Sequence, residues 1–234
     1  MTRYTLGLAA ISLAAMAAAS TPVQAQNTLN GNLTFELGRN TGLSRNFKHG
    51  ATSLGTVFGN GLGLQFDMSV GKYENVTSTQ PSAGVHVFYA PNETWAVGAF
   101  VFGEDQRPGN YFYYGAEAAY DSGPFHAEIY GAYRDDRAAA FDGNRFGMEL
   151  AYAPSNWNGF GVFGGAHTES GLPTGAKSIV TAGVDYRFQN STKLALTVGR
   201  TNLDHTVASL SYQIDFGNGA RFSRRHSQGV FDAY

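Results

Sequence analysis

"LGLQFDMSVGK", residues 62–72, decides how the chain is to be read. Leu62, Leu64, Phe66, Met68 and Val70 share one face, while Gly63, Gln65, Asp67, Ser69 and Gly71 share the other. Successive side chains of a strand point to opposite sides, so alternation of this purity predicts a β-strand with one apolar and one polar face.

Working outward, the same pattern recurs along the chain. Strands are expected near 28–38, 51–58, 62–72, 82–90, 94–103, 111–120, 124–134, 145–152, 160–167, 178–188, 192–200 and 206–216. Their apolar rows include Val85/Val87/Tyr89, Phe112/Tyr114/Ala116/Ala118/Tyr120 and Ala208/Leu210/Tyr212/Ile214/Phe216. The least regular are 51–58, which is short, and 160–167, which is diluted by glycine. Short connections such as "GNG" (59–61), "APNE" (90–93) and "DSG" (121–123) alternate with mostly longer polar ones. Those include "RNTGLSRNFKHG" (39–50), "DDRAAAFDGN" (135–144) and "TESGLPTGAKS" (168–178). Transmembrane barrels have short periplasmic turns and longer extracellular loops, and an even strand count returns the chain to the side where it started.

The polarity of the two faces separates a membrane barrel from a soluble one. Ionisable groups crowd the polar faces: Glu36, Asp67, His86, Glu117, His126, Glu128, Glu149, His167, Asp185, Arg187 and Asp215. On the apolar faces, charge is confined to strand ends such as Arg39 and Lys72. A soluble protein would put that much charge outside, over a core of Leu, Ile and Val. A barrel in lipid puts it in the lumen.

The first residues agree. Arg3 precedes an apolar run over 6–19, and small residues end the stretch at Ala25. The run is too short for a spanning helix, which needs about 20 residues, so 1–25 is expected to be a cleaved secretory signal peptide. There is no cysteine, which removes disulfides and thiol nucleophiles from consideration. A formal net charge of −2 provides no basic field, and nucleic acid is not an expected partner. Glycine (30 residues), Phe (17) and Tyr (13) are all plentiful, as in a Gly-rich, aromatic-girdled barrel.

With these features together, residues 26–216 resemble the Gram-negative outer-membrane β-barrel class and, more loosely, the small porins. The features that carry the resemblance are the leader, the alternation, the aromatic strand ends and the final strand "TVASLSYQIDF" (206–216). It implies an all-β fold, a transmembrane antiparallel up-and-down barrel of twelve strands. The expected function is passive diffusion of small hydrophilic solutes or ions across the bacterial outer membrane. Outer-membrane lipid and the solutes would be its partners, and no catalytic residue, cofactor or metal is expected.

Twelve strands lie between eight, whose interior is just filled, and the sixteen or more of wide porins, so a narrow channel is expected. Its lining is assigned to Glu117, Glu128, Glu149, Asp67, His86, His126, Arg134, Arg145 and Arg187, with Phe88, Phe100, Phe102, Tyr111, Tyr113, Tyr130 and Phe163 narrowing it. Pairing Tyr89 with Trp95 across APNE sets large residues against small ones inside, Phe88 against Ala96 and Gly84 against Phe100. Pairing Tyr120 with Phe125 across the next short turn sets Glu117 directly opposite Glu128, with Glu149 nearby. Opposed carboxylates need a cation, a shared proton or an arginine. They read either as a charge filter with weak cation preference or as a salt-bridge network that stiffens the lumen.

Two other functions are weighed. "HTES" (167–170) places His167, Glu169 and Ser170 at one strand end, as an outer-membrane lipid-modifying enzyme would need, but neighbours along a strand end seldom converge as a triad. A closed structural or adhesive barrel would act through its loops. "DDRAAAFDGN" lacks the spacing of a calcium loop, and no helix follows "GNGLG" to make a nucleotide site.

The chain after Phe216, residues 217–234, cannot be a thirteenth strand, because either face would put arginine into lipid. It is expected either in the periplasm or in the lumen, where Arg221, Arg224 and Arg225 would meet the acids.

Overall fold

The computed structural model describes residues 29–74, 76–105, 110–136, 142–172 and 177–224. The proposed leader therefore lies outside the described residues, as do Arg225 and the rest of the tail beyond it.

Twelve strands close into one barrel. They are β1 (Asn30–Asn40), β2 (Arg45–Val57), β3 (Leu62–Tyr73), β4 (Gln80–Tyr89), β5 (Trp95–Asp105) and β6 (Asn110–Ser122), followed by a second set of six. These are β7 (Phe125–Asp136), β8 (Gly143–Tyr152), β9 (Phe160–Glu169), β10 (Lys177–Arg187), β11 (Thr192–Thr201) and β12 (Thr206–Phe216). Each pairs antiparallel with its sequence neighbours. The seam between β12 and β1 runs from Gly31 opposite Phe216 to Asn40 opposite Val207. Closure pairs the edges that an open sheet would expose to hydrocarbon. Below, the end at which β1 begins and β12 finishes is the near end, and the opposite rim is the far end.

Exposure shows which face is which. Outward Leu37, Ile129 and Val180 are 63%, 60% and 62% exposed, whereas inward Asp67, His86, Glu128 and Arg134 are 1% exposed or less. Apolar outside and charged inside is the inverse of a water-soluble barrel and suits a wall solvated by lipid. At the near end the outward row finishes in cross-strand aromatic pairs. Trp95 meets Tyr120 at 4.6 Å, Phe125 meets Tyr152 at 4.7 Å and Phe160 meets Tyr186 at 4.8 Å. These rings are wide, apolar and tipped with polar atoms, which fits them to a membrane–water boundary.

Inside, aromatic rings fill the space left above the bare backbone of glycines in adjacent strands. A Cβ added at Gly84 would stand 2.2 Å from the Phe102 ring, and one at Gly115 would stand 2.4 Å from Phe100. The expected alternation of large and small residues in the lumen is therefore present, although the partners differ.

Three local expectations are corrected. Tyr89 faces Val97, not Trp95, so Phe88 sits opposite Gly98 and Gly84 opposite Phe102. The turn runs over 90–94, where Asn92 Oδ1 accepts from the amides of Thr94 and Trp95, both at 2.9 Å. Tyr120 faces Ala127, not Phe125, because the ladder continues to Ser122 opposite Phe125, with Gly123 at φ +57° in the turn. Lastly, the long polar stretch 39–50 is mostly strand. β2 begins at Arg45, leaving a turn over 41–44 that is held by the amide of Leu43 donating to Asn40 Oδ1 at 3.1 Å. Alternation persists there with Phe47 and His49 buried inside and Asn46 and Lys48 outside. At the rim an outward polar side chain reaches water, so the strand reads like a loop.

Candidate functional site

The lumen holds part of the chain's own tail, residues 221–224. β12 ends at Phe216, and Gly217 (φ +59°) and Gly219 (φ +78°) turn the backbone through conformations that favour glycine. The amide of Asn218 donates to Asn30 Oδ1 at 2.8 Å and pins the turn to the start of β1. Beyond it, residues 221–224 run inside the barrel.

Phe222 is the anchor, 1% exposed. Its ring stacks on His86 (centroids 6.0 Å apart, planes 7° apart) and meets Phe88 edge-on at 5.4 Å. The backbone around it is satisfied by one side chain. Gln65 Oε1 accepts from the amides of Arg221 (3.0 Å) and Phe222 (3.1 Å), and Gln65 Nε2 donates to the Phe222 carbonyl at 2.8 Å. A primary amide, with donors and an acceptor at one tip, is suited to holding a short peptide in this way.

Ser223 and the two flanking arginines spread the contact around the wall. Glu128 lies directly opposite Glu149 across β7 and β8. The Ser223 amide donates to Glu128 Oε2 at 2.9 Å and its hydroxyl donates to Glu149 Oε2 at 2.8 Å. Arg224 crosses to β1 and β2, where it donates to Asn32 Oδ1 (2.5 Å), Thr34 Oγ1 (3.0 Å) and Ser53 Oγ (3.2 Å). Arg221 stays nearer the rim, pairing with Asp121 Oδ2 at 2.8 Å and donating to the Glu93 carbonyl at 2.9 Å.

The opposed carboxylates are therefore real, but one member of the expected pair is wrong. Glu117 sits opposite Tyr130 and contacts His86 Nδ1 at 2.6 Å, while His86 Nε2 contacts Asp67 Oδ2 at 3.0 Å. The pairing of β6 with β7 is displaced by two residues from expectation. That displacement exchanges Glu117 for Ala119 opposite Glu128 and leaves every side chain on its expected face. His126 links Asp121 (2.7 Å) to Glu128 (3.6 Å).

The arginines serve other acids. Arg134 and Arg145 lie towards the far end, as expected, but both converge on Glu169 and not on Glu117, Glu128 or Glu149. Arg134 donates to Glu169 Oε1, and Arg145 Nη2 meets Oε2 at 2.7 Å. The Arg145 guanidinium also caps the Tyr113 ring at 4.2 Å and donates to its hydroxyl at 2.9 Å. Arg187 pairs with Asp215 at 2.7 Å near the other rim. In the far half, Phe100, Phe102, Tyr113 and Ala132 form one apolar cluster, and Phe47, Tyr73, Ile179 and Val207 form another. Phe100, Phe102 and Tyr113 point into the lumen here, while Phe88 packs against Phe222 nearer the other end.

The HTES residues do not converge as a triad. His167 Nδ1 contacts the Tyr130 hydroxyl at 2.9 Å, Glu169 holds the two arginines, and the Ser170 hydroxyl bonds to Asn144. Sequence reasoning missed Phe222, Gln65, Ser223 and the central role of Glu169. The signal for the tail was its charge, basic against an acidic lumen. Nothing in its pattern marked Phe222 as the anchor.

No family model matches the chain, and no curated protein matches it. Solved structures do. The fold is similar to that of a NanC porin (TM-score 0.65, 9% identity, covering 79% of this chain and 100% of the other). It is likewise similar to a KdgM porin (TM-score 0.61, 11% identity, 80% and 99%). A KdgM porin in complex with disordered oligogalacturonate superposes with TM-score 0.59 at 12% identity, covering 80% and 99%. At such identities the likeness is one of fold: the chain is a closed twelve-stranded barrel of the kind that outer-membrane porins adopt.

Proposed function

We propose that this chain is an outer-membrane channel for passive diffusion of small hydrophilic solutes or ions, and that its C-terminal segment plugs the channel in the state described. One observation carries the reading: a closed barrel with an exposed apolar wall encloses buried rows of charged and polar side chains. Lipid solvates the wall, and a lumen lined this way suits the passage of polar solutes.

Residues 1–25 act as the export signal, the near end faces the periplasm and the far end faces outward. The lining comprises Glu117, Glu128, Glu149, Asp67, His86, His126, Arg134, Arg145 and Arg187. The opposed acids Glu128 and Glu149 accept from Ser223 of the tail, Glu128 also meeting His126 at 3.6 Å, and this acidic pair gives the channel a weak preference for cations. Although a similar KdgM porin is described in complex with oligogalacturonate, the wall arginines of this lumen, Arg134, Arg145 and Arg187, are engaged by Glu169 and Asp215. Neutral and cationic solutes therefore fit this channel better than acidic ones. The connections at the far end are short, the longest being 170–176, which favours a channel over an adhesin working through its loops.

The test is planar-bilayer conductance of refolded full-length protein beside a variant lacking residues 217–234. Steady conductance from the shortened chain is expected, with little or intermittent conductance from the full one. Silence from both would overturn the channel.

A further inference from the structure

The outer face near the far end carries a second site, on the lipid side of the wall. Lys48 and Lys72 stand directly opposite each other on β2 and β3, both outward and exposed. Like charges in that position repel, and neither lysine has a hydrogen bond or ion pair among the described residues. Leu37 pairs with Lys48 on the other side, and Arg39 is the next outward residue of β1 towards the rim, donating to Asn46 Oδ1 at 3.4 Å. The nearby acid is Glu74, whose Oε2 takes the Asn46 side-chain amide at 2.7 Å. Elsewhere on this rim, the outward rows carry Phe112, Tyr114 and Tyr133 with the acid Asp135 opposite Phe112, and outward Arg200 is neutralised by Asp204 at 3.0 Å.

Leu37, Asn46, Lys48, Lys72 and Glu74 line a cleft of about 520 Å³. One outward position towards the membrane centre, Gly50 lies between Phe35 and Val70, and a Cβ added there would meet nothing within 4 Å. A cationic pocket thus opens at the rim above a shallow apolar groove.

We propose that Lys48, Lys72 and Arg39 bind the phosphate groups of an anionic glycolipid of the outer leaflet, one of whose acyl chains lies in the groove over Gly50. The orientation rests on the channel reading, in which the far end faces outward. A lipid phosphate supplies the counter-charge that the lysine pair lacks, through charge-assisted hydrogen bonds at the depth where headgroups sit. A free phosphate ion would satisfy the lysines but would leave the groove unused.

The test uses the refolded full chain in detergent micelles, titrated with bis-phosphorylated lipid A, with the same lipid after dephosphorylation, and with inorganic phosphate. Binding is read by native mass spectrometry and by the shift in melting temperature. Bis-phosphorylated lipid A is expected to bind and to raise the melting temperature. The triple variant Lys48→Gln/Lys72→Gln/Arg39→Gln should bind it about tenfold more weakly or worse, while Lys48→Arg/Lys72→Arg should retain it. Equal binding of the dephosphorylated lipid, undiminished binding by the neutralised variant, or an equal response to inorganic phosphate would each overturn the proposal. Conductance recorded on the same samples keeps the two readings apart. A silent barrel that still binds the lipid sinks the channel alone, and a conducting barrel indifferent to the lipid sinks this site alone.

Discussion

Glu128 and Glu149 face each other across β7 and β8, and Ser223 of the tail donates to both, its amide to the Glu128 carboxylate and its hydroxyl to Glu149. Two carboxylates in that position repel, and the Ser223 donors that relieve them come from the segment lying in the lumen. The charge of the wall and the seating of the tail are thus one arrangement.

Removing residues 217–234 should therefore open the barrel. The rings and ion pairs of the far half stay in place, so the expected outcome is a small, steady single-channel conductance that admits small solutes and excludes larger ones. Single-channel recording with sized neutral sugars measures this directly. An unchanged trace would show that the tail is not the barrier.

Phe222→Ala tests the anchor alone. Burying a phenylalanine contributes about 1.5–3 kcal/mol, so the undocked population should rise by about tenfold to a hundredfold. The same recordings should show more frequent openings, with the barrel itself as stable as before. Equal opening frequencies would place the holding force elsewhere in the tail.

Glu128→Gln/Glu149→Gln, made in the shortened chain, should move the reversal potential under a salt gradient towards that of an unselective pore. With no carboxylate pair left facing the solute, cations lose their advantage. An unaltered reversal potential would remove these two residues from the ion path.

Glu169→Ala should cost stability. It leaves the buried guanidinium groups of Arg134 and Arg145 without their shared counter-charge, a loss of about 3–5 kcal/mol for a broken buried pair. Thermal unfolding of the folded barrel, followed by gel mobility or circular dichroism, should show a clear fall in melting temperature.

Gly115→Val probes the backbone beneath the rings. Its Cβ would stand 2.4 Å from the Phe100 ring and 2.6 Å from the Gly131 carbonyl, so overpacking of about 1–3 kcal/mol is expected. Folding yield into micelles is the measurement.

Most of the barrel could be read from the sequence, and the part that could not has a physical reason. Alternation along Leu62, Leu64, Phe66, Met68 and Val70 reports which face a residue occupies, and twelve such rows gave the strand count. Alternation has a period of two, however, so sliding one strand by two residues leaves every face unchanged. That is why Glu117 and Glu128 were placed on the correct wall but in the wrong pair. Turn chemistry decides the register, and the Gly123 and Asn92 turns are tighter or differently capped than their polar composition suggests. Phe222 was illegible for another cause. It lies in irregular chain, where no period exists to assign a side, and its partners His86 and Gln65 are more than a hundred residues away in sequence.

The tail follows the strand that closes the barrel, and this orders assembly. Its seat is built from Asn32, Thr34, Ser53, Gln65, His86, Glu128 and Glu149, drawn from β1 to β4 and from β7 and β8. Those strands surround a common interior only once β12 has met β1, so the segment has nowhere to dock on an unfinished sheet. Contacts that span so much of the chain form late in folding. Docking of residues 221–224 therefore follows closure of the wall, and a chain that seats Phe222 has thereby proofread its own barrel.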